Sequence, residues 1–164
     1  MDTTMTPDRA VIRSAIEAMA PEFTTLVETI GDEGWKTKSG IAAYTCGQLA
    51  WHVAAATGFL AGETAKAKDG KALNPPAFLR PVLYTLGELR VRVASRKATP
   101  ESVLADFDGG VRKLLAVLES FDDETLRSSA TRMGETLTIA ALFQKPAEHL
   151  AEHAAQIRAG LRDA

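Results

Sequence analysis

Cysteine is all but missing: Cys46 is the single one in 164 residues. That excludes an internal disulfide and fits a reducing compartment. An excess of charge of one sign is missing too, with 19 Lys and Arg against 21 Asp and Glu for a net charge of −2. No electrostatic footprint for nucleic acid follows from that balance. The short basic clusters, Lys66 with Lys68 and Arg90 with Arg92, are flanked by apolar residues and read as solvated helix faces. No stretch approaches the ~18 uninterrupted apolar residues of a membrane span. The opening stretch MDTTMTPDRAVIRS lacks the apolar run of a signal peptide. A cytoplasmic protein without nucleic-acid or membrane partners is therefore expected. Strand-type alternation is nearly absent, no glycines carry phosphate-binding spacing, and Ser128 and Ser129 belong to no triad pattern. Histidine is the scarcity that matters most, with three in the chain.

What is present reads as helix. Hydrophobic residues make up 46% and charged residues 24% of a chain whose length fits one domain over 1–164. Thr6-Pro7 opens the first predicted helix, a capping residue followed by proline at the first helical position. Ile12, Ile16 and Met19 follow at helical spacing; Pro21 predicts a bend or interruption, and Gly31 ends the segment. Thr45 caps the second helix, which runs to about Lys68. A breaker-rich stretch, DGKALNPPAFLRP, precedes a shorter helix over roughly 81–95. Thr99-Pro100-Glu101 opens the third long helix, to about Ser120, with Gly109-Gly110 predicting a local bend or a close helix contact. The fourth runs from Thr138 to about Leu161. ETIGDEGWK (28–36) and ESFDDETLR (119–127) form a faint repeat, each followed by a polar loop and a Thr-capped helix.

The histidines fall on two of these helices. His149 and His153 share the spacing of Ile139, Leu142, Pro146 and Gln156/Ile157 on the inward seam of the fourth helix. Their i,i+4 separation puts both rings on one face, close enough to share an ion. His52 lies on the stripe Leu49, His52, Ala56 and Phe59/Leu60 of the second helix. A lone inward histidine is ordinarily a hydrogen-bonded core residue. Three of them among Ala, Leu and Phe would lack partners for their nitrogens. A divalent metal removes that cost, because neutral imidazole nitrogen is a strong ligand for zinc, nickel or copper. At about 1.5 Å rise per residue, His52 and His153 match in depth only if the second and fourth helices are antiparallel. A long crossover between the second and third helices gives that arrangement, and residues 69–98 supply it.

Other chemistry is weaker. HLAEH (149–153) matches the inverted zinc-protease pattern with Glu152 as base, but few residues follow His153 to supply a downstream third ligand. Cys46 sits roughly 120° around the helix from His52, off the ligand face. A thiol at a helix start can be acidified, although core packing is the plainer reading. Trp35, Trp51 and Phe59 read as core or interface residues.

With YTCGQLAWHVA (44–54), EHLAEHAAQI (148–157) and the intervening TPESVLADFDGGVRKLLAVLESFDDETL (99–126), the chain resembles the DinB-like superfamily of metal-binding four-helix proteins. The resemblance covers most of the chain. It implies an all-α, up-down-down-up four-helix bundle with a metal site of His52, His149 and His153, and a homodimer. It also implies a small-molecule substrate, since relatives include thiol-dependent S-transferases and a mycothiol-dependent maleylpyruvate isomerase. Three protein nitrogens leave a position open on zinc or nickel, as in catalytic sites. The expected function is thus a metal-dependent enzyme, by thiol transfer with a low-molecular-weight thiol or by hydrolase-type chemistry. A non-catalytic bundle with a structural or regulatory ion is the alternative. Glu148 and Glu152 are candidates to support the ligands. Pro146, inside the fourth helix, predicts a kink just before the site.

Overall fold

Helix α1, Arg9–Gly34, starts where the Asp8 carboxylate accepts hydrogen bonds from the backbone N–H of Ala10 and Val11. The computed structural model describes residues 8–41 and 43–164, so the expected Thr6-Pro7 start lies outside the described residues. Pro21 does not interrupt α1, contrary to expectation. Pro21 and Glu17 are both exposed, so the carbonyl that the proline leaves unpaired opens to water. The departure from helical dihedrals comes instead at Gly31 (φ 58°, ψ −178°).

Helix α2, Cys46–Ala67, begins with a reciprocal cap: Gln48 N–H donates to Thr45 Oγ1 at 3.2 Å, and Thr45 N–H donates to Gln48 Oε1 at 2.9 Å. The crossover holds α3, Arg80–Ala94, on which Val91 is the buried residue. Helix α4, Pro100–Ser120, carries the same kind of cap from Thr99 and Ser102. A short α5, Asp123–Arg127, follows.

The polar loop expected next is a hairpin. Strands β1, Ser129–Arg132, and β2, Glu135–Thr138, pair antiparallel with Ser129 opposite Thr138 and Arg132 opposite Glu135. Two residues at positive φ, Met133 (51°) and Gly134 (84°), make the turn. Each strand has four residues, too short for alternation to register against the helical background.

The expected fourth helix is also divided. Thr138 caps a single turn, α6, Ile139–Leu142, and α7, Lys145–Arg162, starts afresh. Pro146 thus stands in the first turn of α7, where the N–H it lacks has no helical partner to lose. The bend predicted just before His149 is therefore taken as the turn between α6 and α7, not as a kink inside one helix.

The core joins α1, α2, α4 and α7, with Phe23 and Phe107 stacked at 4.1 Å between ring centres. Arg9 reaches from the start of α1 to the carbonyls of Leu118 and Phe121 at 2.6 Å each, meeting the negative end of α4. Helices α2 and α7 meet in opposite senses. Cys46 Sγ lies 3.8 Å from Ile157 O, while His52, further along α2, meets His149, further back on α7. Among the described residues no helix is long and apolar enough to cross a membrane.

The Gly109-Gly110 pair makes the close contact expected of it, through one member. A Cβ on Gly110 would stand 2.8 Å from Gly58 N and 3.0 Å from Thr57 Cγ2, whereas one on Gly109 meets only Arg112 Nη2 at 4.0 Å. Gly110→Ala should cost about 1–3 kcal/mol from overpacking, outweighing a helix-propensity gain of about 1 kcal/mol. Gly109→Ala should keep that gain. Paired urea denaturation curves check both signs.

Candidate metal centre

The capping box at Thr45 sets where α2 starts, and the short turn before Lys145 sets where α7 starts. Their opposed packing then brings three side chains to one point. His52 Nε2 and His153 Nε2 each lie 3.1 Å from His149 Nε2. One ring nitrogen from each histidine falls within 4.8 Å of the other two. The rings meet edge to face, at interplanar angles of 65°, 76° and 84°, so the nitrogens converge. His153 is buried and the other two are half-buried.

This places the histidines at the margin of the core. The fully buried stripe of α2 is Leu49, Ala50, Val53, Thr57 and Ala61. The stripe read from the sequence through His52 and Phe59 is rotated from it toward a cleft, and Phe59 is 46% exposed.

The protonation chemistry suits a cation. Gln156 Oε1 lies 2.5 Å from His153 Nδ1. A carbonyl oxygen accepts, so Nδ1 carries the proton and Nε2 presents its lone pair to the cluster. Burial, reinforced by the neighbouring imidazole of His153, lowers the His52 pKa to about 4. Burial first, then His153, His52 and the Arg132 guanidinium, lowers that of His149 to about 3. Imidazole nitrogens that converge in this way, with the rings of His52 and His149 held unprotonated, can hold a divalent ion.

Two clefts reach this point. One of about 710 Å3 is walled by α2, α3 and the hairpin, and touches His52, Trp51, Phe59 and Tyr84. A smaller one of about 230 Å3 touches both His52 and His153 and is bordered by Tyr44 and Glu88. Burial, more than the Glu88 charge, raises the Tyr44 pKa, so its phenol stays protonated. Trp35 and Trp51 both pack on the core as expected, and Trp51 also borders the larger cleft.

Other candidates separate from the site. Glu148 and Glu152 are exposed, and Glu148 pairs with Lys145 at 3.3 Å; the support for His153 comes from Gln156. The third histidine arrives from upstream, which leaves the inverted-protease reading of HLAEH without structural support. Cys46 is fully buried, its thiol facing the Lys38 and Ile157 carbonyls, and burial raises its pKa rather than acidifying it. Arg132, whose charge reaches His149, lies in the hairpin where only a loop was expected.

The family model described as the mycothiol maleylpyruvate isomerase N-terminal domain matches residues 16–158. The chain belongs to that family. It is a family of the DinB-like superfamily, as the motifs around the histidines indicated. The match in this isomerase-domain family spans all three histidines. No curated protein matches the chain. No solved structure matches it either.

The lowered histidine pKa values carry a sign for stability. With an ordinary imidazole pKa of 6.5, the unfolded chain takes up protons that His52 and His149 in the folded state refuse until about 4 and about 3. Stability of the metal-free protein should therefore fall as pH drops from about 6.5 toward 4, and the fall should shrink in His149→Gln. Thermal melts across that range measure it.

Proposed function

We propose that this protein binds a divalent metal, zinc or nickel, through His52, His149 and His153, and is a metal-dependent enzyme acting on a small molecule. The observation that carries the proposal is the convergence of three histidine Nε2 atoms beside an accessible cleft of about 710 Å3. A structural ion needs no such opening, whereas a reacting one does. Bound there, the ion supplies Lewis acidity and acidifies a coordinated water or thiol.

The chain's own residues do the rest. Gln156 holds His153 in the tautomer that offers Nε2. Burial keeps His52 and His149 unprotonated through the neutral range. Trp51, Phe59 and Tyr84 give the cleft apolar walls for the body of a substrate. Thiol transfer with a low-molecular-weight thiol as cosubstrate is the leading chemistry, in keeping with the thiol in the family's description; hydrolase-type chemistry is the next.

The wider proposal is one domain over 1–164 in an up-down-down-up bundle. The opposed contacts of α2 with α7, and those of Arg9 with the end of α4, support that order. A homodimer accords with the apolar surface of α3, where Val82, Leu86, Leu89 and Val93 are 51–57% exposed. A cytoplasmic location accords with the single unpaired thiol.

The second reading, a non-catalytic bundle with a structural or regulatory ion, draws on the same histidines bridging α2 and α7. Elemental analysis of the purified protein should give about one equivalent of metal, lost in His52→Ala with the helical circular dichroism retained; full retention would overturn the site. Gln156→Leu should weaken metal affinity about 10–100-fold in a chelator competition. In cobalt-substituted protein, an added thiol should change the visible absorption. A spectrum that no thiol or small anion alters would favour the structural ion.

A further inference from the structure

Arg132 is a half-buried cation with a buried, unmatched donor. It closes β1 at the lip of the larger cleft, opposite Glu135 on β2. That neighbour is the obvious carboxylate to neutralise it, yet Glu135 lies 3.8 Å from Lys145 Nζ instead. Among the described residues Arg132 forms no ion pair, and its Nε is buried without a hydrogen-bond partner. A buried donor left unmatched costs about 1–3 kcal/mol. The fold bears that cost to hold the side chain at the cleft wall, where the rest of its donor fork meets what enters.

The hairpin bearing Arg132 is held in place. Met133 N–H donates to Leu73 O at 2.8 Å, and Gly134 N–H donates to Asn74 Oδ1 at 2.8 Å. Leu73 N–H in turn donates to Glu63, a buried carboxylate on α2. Gly134, at φ 84°, gives the turn a conformation that favours glycine, and the Arg80 guanidinium of the crossover fills the space beside it. The crossover thus clasps the hairpin turn, and the arginine next to it is positioned before any ligand arrives.

We infer that Arg132 binds the carboxylate of a substrate whose apolar or aromatic body lies along Trp51, Phe59 and Tyr84, with its reacting end toward His52. The planar guanidinium fork matches a carboxylate two-pronged, which a lysine does not. The three ring side chains offer flat apolar surface to a conjugated acid. The inference rests on the cleft being the substrate site, but binding at Arg132 does not require the ion to be present.

Benzoate, with benzamide as its neutral counterpart, tests this by isothermal titration, with tryptophan quenching as a second readout. The wild-type protein should bind benzoate at least about tenfold more tightly than benzamide. Arg132→Gln should weaken benzoate about tenfold or more, Arg132→Lys should fall between, and neither should change benzamide. Circular dichroism and metal content of both variants, measured alongside, separate a lost contact from a lost fold. Equal affinities for the two compounds, undetectable benzoate binding, or benzoate affinity untouched in Arg132→Gln would each overturn the inference. The same titration on metal-free protein separates it from the metal proposal. An Arg132-dependent preference that persists there keeps the arginine's role even if elemental analysis finds no ion. A preference present only with metal, and indifferent to Arg132, assigns the carboxylate to the ion and ends this reading.

Discussion

Everything at the site depends on the opposed packing of α2 against α7. That seam brings a histidine from one helix onto an i,i+4 pair of the other, 97 positions away from His149 along the chain. His52 and His153 both crowd to 3.1 Å from His149 Nε2, and they satisfy it poorly, because one ring nitrogen offers either a proton or a lone pair. The Gln156 contact spends the His153 proton outward, which turns the cluster toward accepting a cation. The ordinary core beneath, from Phe23 and Phe107 to Leu114 and Ile157, provides the stability that lets this polar corner persist.

The remaining parts of the fold are arranged around that corner. The crossover between α2 and α4 allows the opposed packing, and its helix α3 forms one wall of the larger cleft. The hairpin forms another wall and is tied to the crossover at its turn by Leu73 and Asn74. Crossover and hairpin are thus mechanically one unit, anchored by the buried Glu63 of α2. The helices place the nitrogens; the loops between them shape what can approach.

Much of this was legible in particular residues. Thr45 and Thr99 announced α2 and α4 because a side-chain oxygen before a helix satisfies backbone N–H groups locally. The HLAEH spacing announced a shared face because 3.6 residues per turn is a local geometry. The interruption expected at Pro21 is absent, and the bend expected before His149 comes as the turn between α6 and α7 rather than inside one helix. Proline's penalty depends on whether its surroundings can accept the missing hydrogen bond, and solvent accepted it at one site and a helix start at the other. The hairpin escaped notice because its strands are short and its Met133-Gly134 turn lacks the usual Asn-Gly signal.

The sequence by itself determined the helical class, the caps, and the identity of three histidines on two helices, since all of these follow from nearest-neighbour chemistry along the chain. Tertiary structure alone decided that the three nitrogens meet, that Gln156 orients one of them, and that Arg132 lines their cleft without an ion-pair partner among the described residues. Those facts depend on which surfaces are desolvated against which others. Desolvation is set by the packing of segments far apart in sequence, and no local pattern encodes it.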